Sequence, residues 1–375
     1  MTALRRAVTG FLLLKVSVLL LNMVQFPVLR RTPDPRRGPV VPAPRASVSR
    51  ASVSRESVSL LVPVRDEAAR LPASVTAMLR QNADELILLD DESGDGSGAM
   101  ARTLLAAHPR ARVVTGTAAP PGWVGKNWAC HQLAAAASGS LLMFCDADVL
   151  LADGGLEAVI TEMRAQHADV FSVFPRQLTA TLGEHLITPL IDDVLLCFLP
   201  FALLSADVPA AATANGALLV FTRQAYDQLG GFAAVRAEIV EDVAIARRAR
   251  LAGLKLGLVL GGDLVATRMY AGYGQVLAGM AKGLLPVTGG SRGRLILGTG
   301  WHLLAYTLPW GLALRRRAWL LPVFLGVAER VLVEVKTGRR AVWQAVLTPL
   351  SPLAAIPILA RALRGAQRWK GRVYS

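Results

Sequence analysis

Hydrophobic positions divide the chain into zones of different period. Residues 9–29 are apolar almost without break, with Lys15 inside. That is close to the roughly 20 residues needed to cross a bilayer. Arg5 and Arg6 precede the run, and seven arginines follow it: Arg30, Arg31, Arg36, Arg37, Arg45, Arg50 and Arg55. The run is long for a signal-peptide core, and no small-x-small cleavage site follows it. Residues 1–30 therefore read as an uncleaved transmembrane anchor, with the chain beyond it on the cytoplasmic side. Residues 31–57 are rich in Pro, Arg and Ser and repeat Arg45-Ala46-Ser47-Val48-Ser49 as Arg50-Ala51-Ser52-Val53-Ser54. They read as a basic linker lying on anionic headgroups.

From Val58 the pattern changes. Short apolar runs at 58–62, 86–89, 113–114, 141–144 and 170–173 predict strands. Helical periodicity near 68–80, 97–107, 127–137 and 155–166 fills the gaps. This alternation predicts an α/β domain over 58–285, with a mostly parallel sheet and helices on both faces. Ligands of such sheets bind outside the carboxyl ends of the strands.

Later segments are apolar but interrupted. Pro189, Asp192, Asp193 and Pro200 break 186–206, which suits an amphipathic piece in the membrane interface or a core helix. Apolar stretches recur near 295–314, 318–335 and 341–363. Glu329, Arg330 and Glu334 lie in the second, and Pro349, Pro352 and Pro357 in the third. Three spans, or a hairpin with a re-entrant piece, both fit 295–363. Residues 364–375 form a basic tail. The chain is thus expected to be a multi-pass membrane protein.

Composition sharpens this picture. Formal net charge is +14 and mean hydropathy is +0.42. The cations border the apolar segments, which points to a membrane surface and away from nucleic acid; no zinc-finger or RNA-recognition motif is present. Cys130, Cys145 and Cys197 have neither metal-ligand spacing nor a disulfide framework.

The acids stand where the strands end. Cys145-Asp146-Ala147-Asp148 follows the run Leu141–Phe144, and two acids two apart on extended chain point the same way. Such hard oxygen ligands suit a divalent cation that also holds phosphates. Pro63-Val64-Arg65-Asp66-Glu67 follows the first strand, and Asp90-Asp91-Glu92-Ser93-Gly94-Asp95-Gly96-Ser97 the second. The latter is either a nucleoside contact or a capped turn. Lys126, between Gly125 and a helix start, is placed for a pyrophosphate or is simply solvated. Glu241 and Asp242 open a helix, as favourable helix charge or as a general base.

In this order, Pro63 to Glu67, Asp90 to Ser97, Asp146-Ala147-Asp148 and Glu241-Asp242 resemble the motifs of family 2 glycosyltransferases, enzymes of the GT-A fold. Gly122 to Gln132, Phe174 to Gln177, Ala214-Asn215-Gly216 and Arg268-Met269-Tyr270 are similar to a membrane-bound branch of that family. The branch includes carotenoid glucosyltransferases and hopanoid-associated glycosyltransferases. The resemblance implies a nucleotide pocket of Pro63, Glu67, Asp90 and Lys126, with Asp90 toward a uracil. It implies Asp146 at the ribose or metal, Asp148 as ligand of Mg²⁺ or Mn²⁺, and Asp242 as base, with Glu241 sharing the acidic site.

No Q-x-x-R-W motif follows the base, so transfer of a single sugar is expected and not polymerisation. The expected reaction is inverting, metal-dependent transfer of a hexose from a nucleotide-sugar, UDP-glucose by resemblance, to a lipid hydroxyl. A carotenoid acceptor is favoured; a polyprenyl-phosphate, hopanoid or glycerolipid is the alternative. A catalytically silent nucleotide-sugar-binding scaffold is the rival of another class. A dinucleotide-dependent oxidoreductase lacks its G-x-G-x-x-G.

Overall fold

The computed structural model describes residues 1–31, 56–206, 208–339, 341–365 and 367–374. The linker expected over 31–57 lies almost wholly outside the described residues. The chain opens with helix α1, Thr2–Gln25. Strands β1 (Val58–Val64), β2 (Glu85–Asp90), β3 (Ala111–Thr115) and β4 (Leu141–Cys145) follow, separated by α2 (Leu71–Leu79), α3 (Ser97–Leu105) and α4 (Gly125–Ala136). Next come β5 (Val149–Leu151), α5 (Gly155–Ala165), β6 (Val170–Phe174) and β7 (Arg176–Gln177). Short helices α6 (Leu182–Ile187), α7 (Pro189–Phe198) and α8 (Phe201–Ser205) lead to β8 (Leu218–Thr222), α9 (Arg223–Leu229) and α10 (Glu241–Leu251). Strands β9 (Leu256–Leu260) and β10 (Val265–Thr267) complete the sheets.

The main sheet has the order β3-β2-β1-β4-β8-β6-β9. β1, β2, β3 and β4 are mutually parallel, as are β6 and β9, whereas β8 runs antiparallel to both its neighbours. Central strands are buried on both faces, which is why they read as continuous apolar runs and not as alternation. The antiparallel β8 escaped the sequence reading as a strand, although its apolar run Leu218 to Phe221 was visible. A smaller sheet, β5-β10-β7, lies beside the end of β4.

The rest is helical: α11 (Tyr273–Val287), α12 (Arg292–His302), α13 (Leu308–Ala313), α14 (Leu320–Lys336) and α15 (Ser351–Ala362). A π-helical turn, Leu303–Thr307, joins α12 to α13. The chain ends in a two-stranded hairpin, β11 (Gln367–Trp369) and β12 (Arg372–Tyr374). Among the described residues, two helices are long and apolar enough to cross a membrane, Thr2–Gln25 and Val342–Ala362.

α1 buries Val8, Leu12, Lys15, Leu19 and Asn22. Their spacing of four and three puts them on one stripe. Lys15 Nζ lies 2.8 Å from Asp193, 3.0 Å from Glu329 and 2.6 Å from the Tyr306 hydroxyl. Asn22 donates to the carbonyls of Leu196 and Leu199 and accepts from the Phe201 amide. The anchor is therefore fastened to α7, α8 and α14 by polar groups as well as by packing. Leu13, Leu14, Leu20, Leu21 and Val24 face outward.

The 186–206 segment has a buried side and an exposed apolar side. Asp192 and Asp193 turn inward to Arg339 and Lys15, and Leu195, Leu196, Cys197 and Leu204 enter the core. Val194, Phe198 and Leu203 stay exposed.

Candidate active site

The ends of β1, β2 and β4 and the first turns of α4 and α10 carry the site residues. After β1, Asp66 adopts a left-handed φ of 50°, and after β2 Glu92 does the same at 57°. The two turns are laced together. Asp66 accepts from the Gly94 amide, and the amides of Asp66, Glu67 and Ala68 donate to Ser93, Ser97 and Asp95. Gly96, at φ 88°, supplies the left-handed turn into α3. The small polar residues of this acidic motif thus hold the loops together.

Asp146-Ala147-Asp148 leaves β4 beside the start of β8, where the Asp146 amide donates to the Ala217 carbonyl. Lys126, on the first turn of α4, stands 2.9 Å from Asp146 and 3.0 Å from Glu241, and donates to the Gly216 carbonyl at 3.2 Å. A methyl group at Gly216 would stand 2.9 Å from Glu241 Oε1 and 3.3 Å from Lys126 Nζ. Only glycine lets these three elements meet so closely. Burial works against the Lys126 charge, but the carboxylates of Asp146 and Glu241 hold its ammonium well above the usual lysine range.

Asp242 accepts from the amides of Gly216 and Val243, both at 2.8 Å. Burial, and then the neighbouring Glu241, push its carboxyl up to about 6, with Lys126 opposing. Burial and the charges of Asp146 and Glu67 raise Asp148 to about 7. A carboxylate pair strained by its own charge fits a divalent cation, which would relieve the repulsion through hard oxygen donors.

One cavity, of about 240 Å³, gathers Pro63, Glu67, Lys126, Asp146 and Asp148. Asp90 is not on its wall; its carboxylate accepts from the Ser93 amide and lies against Gly98. The wall carries Asp91 instead, which is 3 % exposed. Glu241 and Asp242 adjoin the cavity behind Lys126. Sequence reasoning passed over Asp91, Arg70, Gly279 and Ala217 as lining residues. The doublet Asp90-Asp91 was the available signal, but period alone does not tell which member turns inward at a strand end. Arg268, of the Arg268-Met269-Tyr270 motif, is a brace: it pairs with the buried Glu184 at 3.1 Å. Despite burial, hydrogen bonds from Arg268 and nearby amides hold Glu184 down to about 2. His131 stacks on Trp128 and packs at a tilt against Trp123.

A second cavity, about 560 Å³ and almost wholly apolar, opens between α7, α11, α12 and α15. It shares Tyr270, Gly279 and Lys282 with the first. Burial holds the Lys282 ammonium below the usual lysine range. The polar and the apolar space therefore meet at these three residues.

A parallel-dominated sheet with an antiparallel eighth strand, and an Asp-x-Asp at the end of the fourth, define a GT-A glycosyltransferase domain. The sequence model of Glycosyl transferase family 21 matches residues 14–269, and the chain belongs to that family. The motifs alone had pointed to the family numbered 2. Among solved structures, the chain is similar to the mannosyltransferase PcManGT from Pyrobaculum calidifontis in complex with GDP-Man and Mn²⁺. That similarity has a TM-score of 0.54 and 17% identity, and covers 96% of this chain and 99% of the other. The 4,4'-diaponeurosporenoate glycosyltransferase of Staphylococcus haemolyticus (strain JCSC1435) is 28% identical over 232 residues. The match spans 60% of each chain, so less than two thirds of that relative's length is covered.

Proposed function

We propose that this protein transfers one hexose from a nucleoside diphosphate-sugar, UDP-glucose first among them, to a membrane lipid, with inversion at the anomeric carbon. The observation that carries this reading is the junction of the two cavities. An acidic, lysine-bearing site suited to a sugar diphosphate shares the wall residues Tyr270, Gly279 and Lys282 with an apolar space suited to a lipid. Mn²⁺ and GDP-Man in the similar mannosyltransferase support a metal-assisted donor site.

The residues divide the work. Asp146 and Asp148 would hold Mg²⁺ or Mn²⁺, which when bound offsets charge on the leaving diphosphate. Lys126, positioned by Asp146 and Glu241, adds a fixed cation to the same end. Asp242, with Glu241 beside it, accepts the proton of an acceptor hydroxyl. Pro63, Glu67 and Asp91 wall the nucleoside end; Asp90 acts by holding its turn.

The proposal includes association with a membrane. α1 and the C-terminal helices carry outward apolar side chains, including Phe324, Val342, Trp343 and Val346, around a core of paired charges, which suits that reading. A multi-pass chain with its catalytic domain at the cytoplasmic face, against anionic lipid, is the form of it that the charge pattern of the sequence favours.

A carotenoid is the favoured acceptor, supported by the diaponeurosporenoate relative. That name ends in a carboxylate, which makes a lipid carboxylate a second acceptor class. The two classes make different demands, because a carboxylate ionised at pH 7 needs no base. The test is transfer from radiolabelled UDP-glucose into extracted lipid, using membranes bearing wild type, Asp148→Asn or Asp242→Asn. Label from wild type alone supports a hydroxyl acceptor. Label retained in Asp242→Asn but lost in Asp148→Asn supports a carboxylate. No label from any of several nucleotide-sugars overturns the reading and favours the scaffold.

A further inference from the structure

The basic tail returns to the donor cavity. Its hairpin of β11 and β12 crosses the loops after β1 and β2, more than 270 residues away in sequence, and is tied there at several points. Arg65 Nε donates to the Lys370 carbonyl at 3.0 Å, and Lys370 Nζ donates to the Arg65 carbonyl at 2.8 Å. Lys370 also pairs with Glu67. Arg372 grips the buried Asp91 carboxylate with both terminal nitrogens, at 2.6 and 2.8 Å, and reaches Glu92 at 3.3 Å. A two-pronged guanidinium–carboxylate pair of this kind fixes orientation as well as charge.

Both cations line the same cavity as Asp146, Asp148 and Lys126. Lys370 is close enough to Asp148 for its charge to act on that carboxyl. Arg372 lies on the first turn of α4: a Cβ on Gly125 would fall 1.5 Å from its Nη1. Gly125 is therefore the residue that admits the guanidinium. A tail lying loosely on the membrane surface would need none of these arrangements.

We infer that the C-terminal hairpin is the last wall of the donor site, with Lys370 facing the diphosphate and Arg372 the nucleoside end of a bound nucleoside diphosphate-sugar. The inference rests on the donor reading above. Apart from the tail, the cavity wall carries four acids, Glu67, Asp91, Asp146 and Asp148, against four cations, Arg65, Arg70, Lys126 and Lys282. Lys370 and Arg372 tip that even balance toward an anionic ligand and add donors to the wall. The basic tail is then part of the binding machinery, and its charges are not there for lipid headgroups alone.

The test measures binding of UDP and of UDP-glucose, each with Mn²⁺, to the full-length protein in detergent. It compares wild type, a chain ending at Gly365, Lys370→Ala, Arg372→Ala and Gly125→Ala, with lipid transfer followed in parallel. Gly125→Ala displaces Arg372 without altering any charge. Loss of hydrogen bonds to a charged ligand predicts affinity lower by roughly tenfold or more in each variant. The donor KM should rise more than kcat falls; Lys370→Ala should melt close to wild type, whereas Arg372→Ala and the truncated chain should melt lower because the buried Asp91 loses its partner. The pair Arg372→Gln with Asp91→Asn separates contact from screening. Affinity that stays low in the pair supports direct contact, and affinity restored to wild type overturns it. Unchanged binding in the truncated chain, or tighter binding and faster transfer, also overturns the proposal, the latter by making the hairpin an inhibitory plug. If wild type itself binds neither nucleotide, the donor reading falls and takes the hairpin's role with it. Binding by wild type that the truncation leaves intact removes the hairpin's role alone.

Discussion

In the proposed reaction, single carboxylates and one lysine set the chemistry of this site. Asp148→Asn removes a hard charged ligand, and Lys126→Ala removes a cation aimed at the leaving diphosphate. Each is expected to lower turnover by roughly 10²–10³-fold, as loss of one preorganised electrostatic group does. Circular dichroism of both variants should match wild type, since neither side chain is part of the apolar core. Asp242 gives a separate handle. Its carboxyl sits at about 6 and must be ionised to act as base, so transfer to a hydroxyl rises with pH through about 6. A flat profile between pH 5 and 7 would remove Asp242 from that role. Stability should move the other way. Asp148 and Asp242 keep their protons in the fold to higher pH than in the unfolded chain, where an aspartate titrates near 3.8. In the metal-free protein these two carboxyls bind more protons folded than unfolded between about pH 4 and 7, so their contribution to stability falls across that window. Thermal melting in chelator at pH 5 and pH 7.5 measures the difference.

Elements bring these residues together, and here the sequence was uneven as a guide. Strands β1, β2, β3, β4 and β6 and the helices between them were legible because each is a local period, apolar and bounded by turn residues, whereas the short β5 was not. Asp146 and Asp148 were legible for the same reason, as alternation on a strand end. Pairings across the chain were not. Nothing in residues 9–29 says that Lys15 meets Asp193 and Glu329, and nothing in the tail says that Arg372 meets Asp91. Pro189, Asp192 and Asp193 looked like faults in an apolar segment because their partners lie on distant helices. The Lys15 cluster gives the element-scale prediction. Lys15→Met leaves two buried carboxylates facing each other, and breaking such a group typically costs about 3–5 kcal/mol. The variant should melt well below wild type in detergent, and adding Asp193→Asn and Glu329→Gln should recover much of the loss. A Lys15→Met protein that melts like wild type would mean that α1 is held by its apolar stripe alone.

In the proposed function, the molecule as a whole joins a water-facing reaction to a substrate that stays in the bilayer. That demands a route from apolar space to the anomeric carbon, and the wall that the two cavities share at Tyr270, Gly279 and Lys282 is where the proposal places it. The two halves should therefore be separable by filling one of them. Gly283 lines the apolar cavity on α11, and a Cβ added there meets no heavy atom within 4 Å. Gly283→Trp then places a large side chain into open space without forcing the backbone, where glycine in a helix interior was itself unfavourable by about 1 kcal/mol. The donor site lies across the junction and keeps all its residues. Binding of UDP-glucose with Mn²⁺ should be unchanged within about twofold, while transfer to lipid falls steeply through the acceptor KM. Slow release of free glucose to water should persist, because water does not need the apolar route. If Gly283→Trp instead transfers to lipid as well as wild type does, the acceptor reaches the site by another path, and the 560 Å³ cavity has a role apart from catalysis.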